Sequence, residues 1–180
     1  MRVVVTSDGS VLSERGLAAV APLVRGWGAE VLLLTVLDPD APHGTVSAFE
    51  FEQERPNDAS ARARVWGAPV SPAPKVVEDR GRALESARQA AEDDLHARAA
   101  RHLAGSRWEV HVTFSSDAAG AIAQFAREKA AQLIVMSTHG RSGVGQALLG
   151  STTAAVIRQS TVPVVVVGSK VELDGSESRA

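Results

Sequence analysis

The stretch from Ser137 to Thr152 combines residue types that hold anions. Its glycines, which let a backbone approach a ligand closely, are Gly140, Gly143, Gly145 and Gly150. Hydroxyl donors and one cation accompany them: Ser142, Ser151, Thr152 and Arg141. A helix predicted to begin at Ser151 would add unpaired N–H groups and the positive end of its dipole. The stretch therefore predicts a phosphate cradle or, in the alternative, only a tight strand-to-helix connection; it lacks the lysine of a Walker-type phosphate loop.

A second polar loop follows the first predicted strand and contains Thr6, Ser7 and Asp8. The Asp8 carboxylate could accept hydrogen bonds from a base edge or a ribose hydroxyl, or it could instead order the turn and cap the next helix. His139, beside the glycines, is a single histidine, whereas zinc takes three or four ligands, so packing within the loop is favoured for it. We identify no paired carboxylates, nucleophile elbow or metal-ligating cluster, and the sequence therefore predicts no catalytic residue and no protein-ligated metal.

Alternating strand and helix patterns position these loops. Short apolar runs predict strands at 2–6, 30–37, 133–136 and 162–167, and a run with polar alternate residues predicts a wetter or edge strand at 108–114. Helical spacing predicts helices at about 13–28 with Ser13 as cap and Gly28 as terminator, at 82–103, after an Asp117 cap, and from Ser151. Such alternation implies right-handed crossovers and a mainly parallel sheet with helices on both faces, where ligands bind outside the carboxyl ends of the strands.

Composition excludes several classes of protein. Of 180 residues, 44% are hydrophobic and 22% are charged, which suits one folded domain rather than a disordered chain. A net charge of −2 opposes general binding to duplex nucleic acid, and the absence of cysteine excludes disulfides, thiolate metal sites and thiol catalysis. No apolar run reaches the ~18 residues of a membrane span, and the chain starts on a strand-like run rather than a leader. We therefore expect a cytoplasmic protein with neither nucleic acid nor a membrane as partner.

Residues 38–80 differ in composition from the rest of the chain. They hold six of its eight prolines and three of its seven aromatic residues, and proline interrupts helices and strands. We predict a domain at 1–168 that carries a Pro-rich insertion at about 38–80 and is followed by a polar C-terminal tail at 169–180. The insertion is interpreted either as a partly disordered segment that pins a few aromatics on the body or as a lid or partner-binding segment.

Three segments resemble the universal stress protein family. The most specific is IVMSTHGRSGVGQALLGSTTAAVIRQSTVPVVVV at 134–167, which is similar to the family's C-terminal signature. VVVTSDGSVLSERGL at 3–17 is similar to the family's first strand and helix start, and LLLTVLDP at 32–39 is similar to its second strand. The resemblance therefore covers most of the chain outside the predicted insertion.

Nucleotide-binding members of this family carry glycine, two residues, glycine, nine residues, glycine, and then serine or threonine. Here Gly140 matches the second glycine, and Gly150 and Ser151 match the end of the motif. Ser137 stands at the position of the first glycine, which is a departure from the family pattern. The resemblance is thus to the nucleotide-binding type of the family, with one substituted position.

The resemblance implies an open, twisted, Rossmann-like α/β sheet of five parallel strands in the order 3-2-1-4-5, in which the two polar loops meet between strands one and four. It implies that Asp8 and the main chain of Val36 hold the adenine and ribose of ATP or AMP. It also implies that the glycine stretch holds the phosphates, with Mg²⁺ or Mn²⁺ between them. The binding residues predicted in this way are Thr6, Ser7, Asp8, Val36, Ser137, His139, Gly140, Arg141, Ser142, Gly143, Gly150, Ser151 and Thr152.

These implications favour an adenine-nucleotide-binding universal stress protein that acts as a stress-response sensor or adaptor. Two alternatives stay open: a dimer of this family that binds no nucleotide and acts through an unknown protein partner, and a slow ATP hydrolase. In the implied strand order, 162–167 is an apolar edge strand without a charged residue, and such an edge is a template for pairing. We therefore expect a homodimer through this strand, or a monomer in which 38–80 or 169–180 covers it.

Overall fold

Strands and helices alternate along the chain in the computed structural model, which describes residues 1–41, 80–137 and 149–168. These residues form five strands and four helices. In chain order they are β1 (Arg2–Thr6), α1 (Val11–Gly26), β2 (Glu30–Leu37), α2 (Arg80–His102), β3 (Arg107–Phe114), α3 (Ala118–Glu128), β4 (Leu133–Ser137), α4 (Ser151–Gln159) and β5 (Val164–Val167). Every strand that the sequence predicts is present, and a helix separates each strand from the next.

The strands form one sheet in the order β3-β2-β1-β4-β5. All four neighbouring pairs are parallel; Val4 of β1, for example, is paired with Leu32 of β2 on one side and with Ile134 of β4 on the other. Parallel neighbours need crossover connections, which the helices provide. The expected α/β fold, with a five-stranded parallel sheet in the order 3-2-1-4-5, is therefore confirmed.

Helices cover both faces of the sheet, and the alternation of side chains along each strand decides which residues a helix layer buries. On one face lies the layer of α1 and α2. Its buried residues pack on buried strand residues; the first set is Leu17, Val20, Val24, Leu95, Ala99 and Leu103, and the second is Val3, Val5, Val31, Leu33 and Val135. On the other face lies the layer of α3 and α4. Its buried helix residues are Ala119, Ile122, Ala126 and Val156, and they pack on the strand residues Val4, Leu32, Leu34, Ile134 and Met136. The central strands are thus buried on both faces, as their continuous apolar sequences predict.

The start of α1 differs from the sequence prediction. Ser10 is the N-cap, and its hydroxyl accepts a hydrogen bond from Ser13 N at 3.1 Å. The prediction that Ser13 caps this helix is wrong, because Ser13 supplies the backbone amide that the cap satisfies. At the other end the helix stops at Gly26, and Gly28 adopts a φ of +58°, the left-handed conformation in which glycine terminates helices. Gly28 is therefore confirmed as the terminator.

Strand β5 begins at Val164, two residues after the predicted start at 162. The Ser160 hydroxyl accepts a hydrogen bond from Val162 N at 2.9 Å and donates one to Val162 O at 2.8 Å, so the polar groups of Val162 belong to a turn. Pro163 comes next and has no N–H to contribute; its carbonyl accepts a hydrogen bond of 2.9 Å from Ile134 N. The regular strand therefore starts only after the proline.

The other boundaries agree more closely with the sequence patterns. Asp117 is the N-cap of α3 and accepts a hydrogen bond from Gly120 N at 3.0 Å. Helix α4 begins at Ser151 as predicted, and α2 begins at Arg80, two residues before the predicted start. Strand β3 lies at one edge of the sheet, in agreement with its alternation of polar and apolar residues.

The two ends of the predicted insertion lie close together. Arg80, the first residue of α2, donates from Nη2 to Asp40 Oδ1 at 2.6 Å, and the same nitrogen lies 3.5 Å from Pro39 O. The ion pair therefore joins the start of α2 to the chain that leaves β2. Most of the insertion, 42–79, and the tail, 169–180, lie outside the described residues. The division into domain, insertion and tail stays a prediction.

Candidate functional site

The topology brings a set of predicted binding residues to the carboxyl edge of the sheet. From β1 the chain continues to β2 and β3 on one side, and it then returns to β4 and β5 on the other. The strand order reverses between β1 and β4, and parallel sheets form a ligand crevice at such a reversal. The predicted residues at this edge, taken from the ends of β1, β2 and β4 and the start of α4, are Thr6, Ser7, Asp8, Val36, Ser137, Gly150, Ser151 and Thr152.

Ser7 is bonded inside the loop that follows β1. It is 8% exposed, its amide donates to Leu34 O at 2.9 Å, and its carbonyl accepts a hydrogen bond from Thr35 Oγ1 at 2.8 Å. The hydroxyls of Ser7 and Ser13 share a hydrogen bond of 3.1 Å. These bonds tie the loop to β2 and to α1. The structure thus gives Ser7 a role in ordering the loop, and a contact between Ser7 and a ligand stays a prediction.

Asp8 orders the turn between β1 and α1. Its Oδ1 accepts hydrogen bonds from Ser10 N at 3.0 Å and from Ser10 Oγ at 2.6 Å. Gly9 between them has a φ of +79°, a conformation that residues with a side chain rarely adopt. The turn-ordering alternative for Asp8 is therefore observed. Asp8 is also exposed at the edge of the sheet where the crevice opens, so its ligand-binding role stays a prediction.

The N–H and C=O of Val36 are directed toward the space beyond the end of β1. Leu34 O accepts a hydrogen bond of 2.9 Å from the loop after β1, whereas Leu37 O accepts one of 2.9 Å from the loop after β3. Alternate residues of a strand direct their N–H and C=O to opposite neighbours, so Val36, like Leu34, directs them to the β1 side. Strand β1 ends at Thr6, which is paired with Leu34. The polar groups of Val36 therefore lie two residues beyond the end of β1, at the mouth of the crevice.

Ser137, which stands where the family motif has its first glycine, lies against α1. A Cβ placed on Gly16 of α1 would be 3.0 Å from Ser137 Cβ and 3.6 Å from Ser137 Oγ. The serine side chain therefore occupies the narrow space between the end of β4 and α1. Because residue 16 is glycine, α1 leaves room for this side chain. The motif spacing did not indicate this contact between α1 and β4.

The N-terminus of α4 has the open character that an anion site needs. Its N-cap, Gly150, has a φ of −56° and a ψ of 149° and carries no side chain to cap the helix. Ser151 and Thr152 are exposed in the first turn. A Cβ placed on Gly150 would come within 4 Å of one described atom, Thr153 Oγ1, at 3.9 Å. The described part of the protein therefore tolerates a larger residue at position 150.

The centre of the glycine stretch is not among the residues that the structure describes. The predicted binding residues concerned are His139, Gly140, Arg141, Ser142 and Gly143. Within 1–41, 80–137 and 149–168, no group of three or more histidine, aspartate or glutamate residues could hold a metal ion. None of the helices in these segments combines the length and the apolar composition that a membrane span needs.

A cluster of charged side chains, which we call the Glu14 cluster, joins α1 to α2 beside the first loop. Glu14 contacts Arg98 at 3.4 Å, Arg101, and His102 Nε2 at 3.0 Å. The hydrogen bond from His102, and then the charges of the two arginines, hold the pKa of Glu14 below its ordinary value of 4.5, although burial acts in the opposite direction. Sequence reasoning missed this cluster. Its one local signal is that the three α2 residues share a helix face.

The fold is that of an α/β protein with an open parallel sheet and two polar loops at the strand reversal. The sequence model of the universal stress protein family matches residues 1–168. The chain belongs to the universal stress protein family, as the resemblance predicted, and membership of its nucleotide-binding type stays a prediction.

One relative shares a short segment at high identity. Over 49 residues the chain is 47% identical to the universal stress protein MJ0531 of Methanocaldococcus jannaschii. The match covers 27% of this chain and 29% of that protein. It therefore spans less than a third of the length of that relative.

Solved structures share the fold at low sequence identity. The structure of hypothetical protein MJ0577 is similar with a TM-score of 0.64 at 20% identity, over 95% of this chain and 97% of that one. A universal stress protein in complex with cAMP has a TM-score of 0.52 at 22% identity, over 94% and 97%. A universal stress protein from Archaeoglobus fulgidus in complex with dAMP has a TM-score of 0.50 at 18% identity, over 92% and 96%. At such identities the likeness establishes the fold.

Proposed function

We propose that this protein is a cytoplasmic sensor or adaptor of the stress response that binds an adenine nucleotide, ATP or AMP, in the crevice between β1 and β4. The observation that carries the proposal is the main chain of Val36, whose N–H and C=O face the crevice beyond the end of β1. Adenine presents an acceptor beside a donor on its edge, which such a backbone pair can match. Two structures of this fold, in complexes with cAMP and dAMP, support adenine as the base.

Residues of matching chemistry surround the other parts of the proposed nucleotide. Asp8, exposed at the same edge, would accept a hydrogen bond from a ribose hydroxyl. Ser151 and Thr152, in the open first turn of α4, would hold the phosphates, because the N-terminus of a helix attracts anions. Mg²⁺ or Mn²⁺ would be held through the phosphate oxygens. The remaining proposed contacts come from Thr6, Ser7, Ser137, His139, Gly140, Arg141, Ser142, Gly143 and Gly150.

Identification of the ligand tests the proposal. Mass spectrometry of small molecules released from the purified protein by denaturation should recover ATP or AMP. Titration calorimetry with ATP and Mg²⁺ should show binding, and ATP should raise the melting temperature because it binds the folded state. No released nucleotide, no heat and no thermal shift at millimolar ATP would overturn the proposal. That result would favour the family dimer that acts through protein partners without a nucleotide.

Gly150→Val tests where the phosphates bind. Because a Cβ at this position meets one described atom at 3.9 Å, the fold should tolerate valine, whereas the added side chain would occupy the phosphate space. We expect an unchanged melting temperature without ligand and a loss of ATP binding. Gly26→Val at the end of α1, where a Cβ meets nothing within 4 Å, is the matched control and should bind ATP normally. Normal binding by Gly150→Val would place the phosphates elsewhere.

We also propose a homodimer that forms through β5. All four residues of this strand are valine, and Val165 is 43% exposed. Because Pro163 O accepts a hydrogen bond from Ile134 N, the parallel ladder turns the polar groups of Val165 toward β4. Those of Val164 and Val166 consequently point away from the sheet. A second copy, related by a twofold axis, would pair with them in antiparallel orientation.

The mass in solution tests this assembly. Light scattering at micromolar concentration should give about twice the chain mass of 18.8 kDa. Val166→Pro removes an outward N–H and should shift the protein toward the single-chain mass. Val112→Pro is the matched control at the other edge, since the ladder of β3 also directs the Val112 N–H away from the sheet; it should keep the double mass. A single-chain mass for the unmodified protein would refute pairing through β5.

A further inference from the structure

Arg98 of α2 reaches the loop that carries Asp8. Its Nη2 donates to Gly9 O at 2.7 Å, and its Nη1 donates to Ser10 O at 3.1 Å. Its Nε donates to Asp94 Oδ2 at 2.7 Å, one turn earlier on α2. The Arg98 side chain is only 11% exposed, so most of the guanidinium is directed at fixed acceptors of the protein rather than at water.

The peptide unit between Gly9 and Ser10 is held from both sides. Its carbonyl, Gly9 O, accepts the hydrogen bond from Arg98, while its amide, Ser10 N, donates to Asp8 Oδ1 at 3.0 Å. A peptide unit is planar and rotates as one body. Any rotation that turns the carbonyl away from Arg98 therefore also moves the N–H that orients Asp8. The Ser10 hydroxyl also donates to Asp8 Oδ1, at 2.6 Å, so Arg98 is linked to the Asp8 carboxylate through this peptide unit and the residue that follows it.

We propose that Arg98 is a positioning residue of the nucleotide site and that it couples this site to helix α2. The inference rests on the proposed function, because the positioned ligand is the nucleotide that Asp8 would contact. A guanidinium presents its donors in a rigid planar fork and can bind two carbonyls at once, which the point charge of lysine does not reproduce. If a displacement of α2 lowers nucleotide affinity by some factor, thermodynamic linkage requires that bound nucleotide disfavour that displacement by the same factor.

The test compares Arg98→Gln with Arg101→Gln. Both substitutions remove one positive charge of the Glu14 cluster from helix α2. Both arginines contact Glu14, and Arg98 in addition bonds the two loop carbonyls. The probe is AMP, measured by titration calorimetry. Arg98→Gln should weaken AMP binding about tenfold, the effect of one lost hydrogen bond to a charged group. Arg98→Lys should restore little of this loss, and Arg101→Gln should change affinity less than about twofold.

A double-mutant cycle with Asp8→Ala separates positioning from a general loss of stability. If Arg98 acts through Asp8, Arg98→Gln weakens AMP binding in the wild-type background and has little further effect in Asp8→Ala. A general loss of stability would instead weaken binding by the same factor in both backgrounds. Equal factors would therefore overturn the inference.

Hydrogen exchange of the Ser10 amide distinguishes failure of this inference from failure of the proposed function. This amide is the one that donates to Asp8, and its exchange is measured without any nucleotide. Faster exchange in Arg98→Gln than in Arg101→Gln supports the positioning role, and equal exchange in the two variants overturns it. If wild-type protein binds neither AMP nor ATP, the proposed function fails, and the exchange measurement still decides whether Arg98 positions the loop.

Discussion

Helices α1 and α2 are joined to each other by charged side chains, whereas α3 and α4 on the opposite face of the sheet meet through small and apolar ones. Glu14 of α1 is bonded to two arginines and a histidine of α2. The buried residues of α3 and α4 are instead Ala119, Ile122, Ala126, Thr153 and Val156. In the part of the chain that the structure describes, none of the ion pairs connects α3 to α4.

Apolar contacts pack all four helices on the sheet, so the difference lies in what joins neighbouring helices and the loop beside them. Small apolar residues hold α3 and α4 by the surface that they remove from water, an attraction without a preferred direction. The hydrogen bonds of Arg98 are directional, and they end on particular carbonyl and carboxylate oxygens. The α1/α2 layer therefore fixes the conformation of the loop at the crevice as well as the position of its helices.

Removal of one cation from each layer should give the largest difference between the layers in the free energy of unfolding. Arg98→Met removes the buried donor of two loop carbonyls and of the Asp94 carboxylate, which should lower the free energy of unfolding by about 2–3 kcal/mol. Lys129→Met at the C-cap of α3 removes an ammonium group 5.7 Å from the centroid of the Phe125 ring, a contact worth about 1 kcal/mol or less. Urea unfolding measures both values. Equal losses would mean that charge holds the two layers to the same extent.

Substitution of one glycine in each layer by alanine should give the next largest difference in stability. Gly16→Ala would bring a Cβ within 3.0 Å of Ser137 Cβ, an atom that cannot rotate away. We expect the free energy of unfolding to fall by about 1–2 kcal/mol, the strain of overpacking less the helix propensity that alanine adds. In the Ser137→Gly background the same substitution should become stabilising, because the space is open and the propensity remains. Thermal melts of the four proteins check the change of sign.

The matched substitution in the other layer is Gly120→Ala. The added Cβ would displace the Asp117 carboxylate that caps α3, a loss of about 1 kcal/mol, and the helix propensity of alanine offsets part of it, so the net loss should be smaller than that of Gly16→Ala. Ser137→Gly should not rescue it. Gly26→Ala, where a Cβ meets nothing within 4 Å, should be neutral or stabilising. A Gly16→Ala variant that melts like Gly26→Ala would contradict the close approach of α1 to β4.

Removal of the N-cap side chains of α1 and α3 should give a smaller difference in the free energy of unfolding. The Ser10 hydroxyl accepts from Ser13 N and also donates to Asp8 Oδ1, whereas the Asp117 carboxylate accepts from the amide of Gly120. Ser10→Ala should therefore destabilise by about 1–2 kcal/mol, and Asp117→Ala by about 1 kcal/mol. Denaturant midpoints of the two variants decide the order. A greater loss at Asp117 would show that the loop bonds of Ser10 add nothing to its cap.

The smallest effect is expected on acidification. The pKa of Glu14 lies below its ordinary value of 4.5 in the folded protein, so its contribution to stability is present above that value and is lost as pH falls through the folded pKa. Glu14→Gln should consequently flatten the dependence of stability on pH below 4.5. Unfolding curves at several acidic pH values would contradict this if Glu14→Gln followed the wild type.

Local patterns were sufficient to predict a parallel sheet with helices on both faces, whereas the strand order 3-2-1-4-5 came from the resemblance to the family. Strands β1, β2 and β4 are apolar runs between turn residues, and their alternation with helices specifies a parallel sheet. The boundary of α1 was wrong because two nearby serines are both able to cap a helix. The structure distinguishes them through a contact of the folded chain, since the Ser13 hydroxyl is bonded to the buried Ser7. Such a contact is not encoded in helical spacing.

The candidate site was less predictable than the fold. The sequence left Asp8 with two roles, and the loop that carries Asp8 is bonded by Arg98, whose Nη1 donates to Ser10 O across 88 positions of the chain. The direction of the Val36 main chain depends on where β1 ends relative to β2, which is a property of the sheet register. Gly16 and Ser137 likewise meet only after α1 has packed on β4. Each of these features depends on contacts between distant segments.

The ion pair between Asp40 and Arg80 also bears on how this protein can change during evolution. It joins Asp40 and Arg80, on either side of 42–79, beside the carboxyl end of β2. The entropy of closing a loop rises slowly with length, by about 0.6 kcal/mol for each doubling. Residues can therefore be gained or lost between these two positions without a shift of strand register.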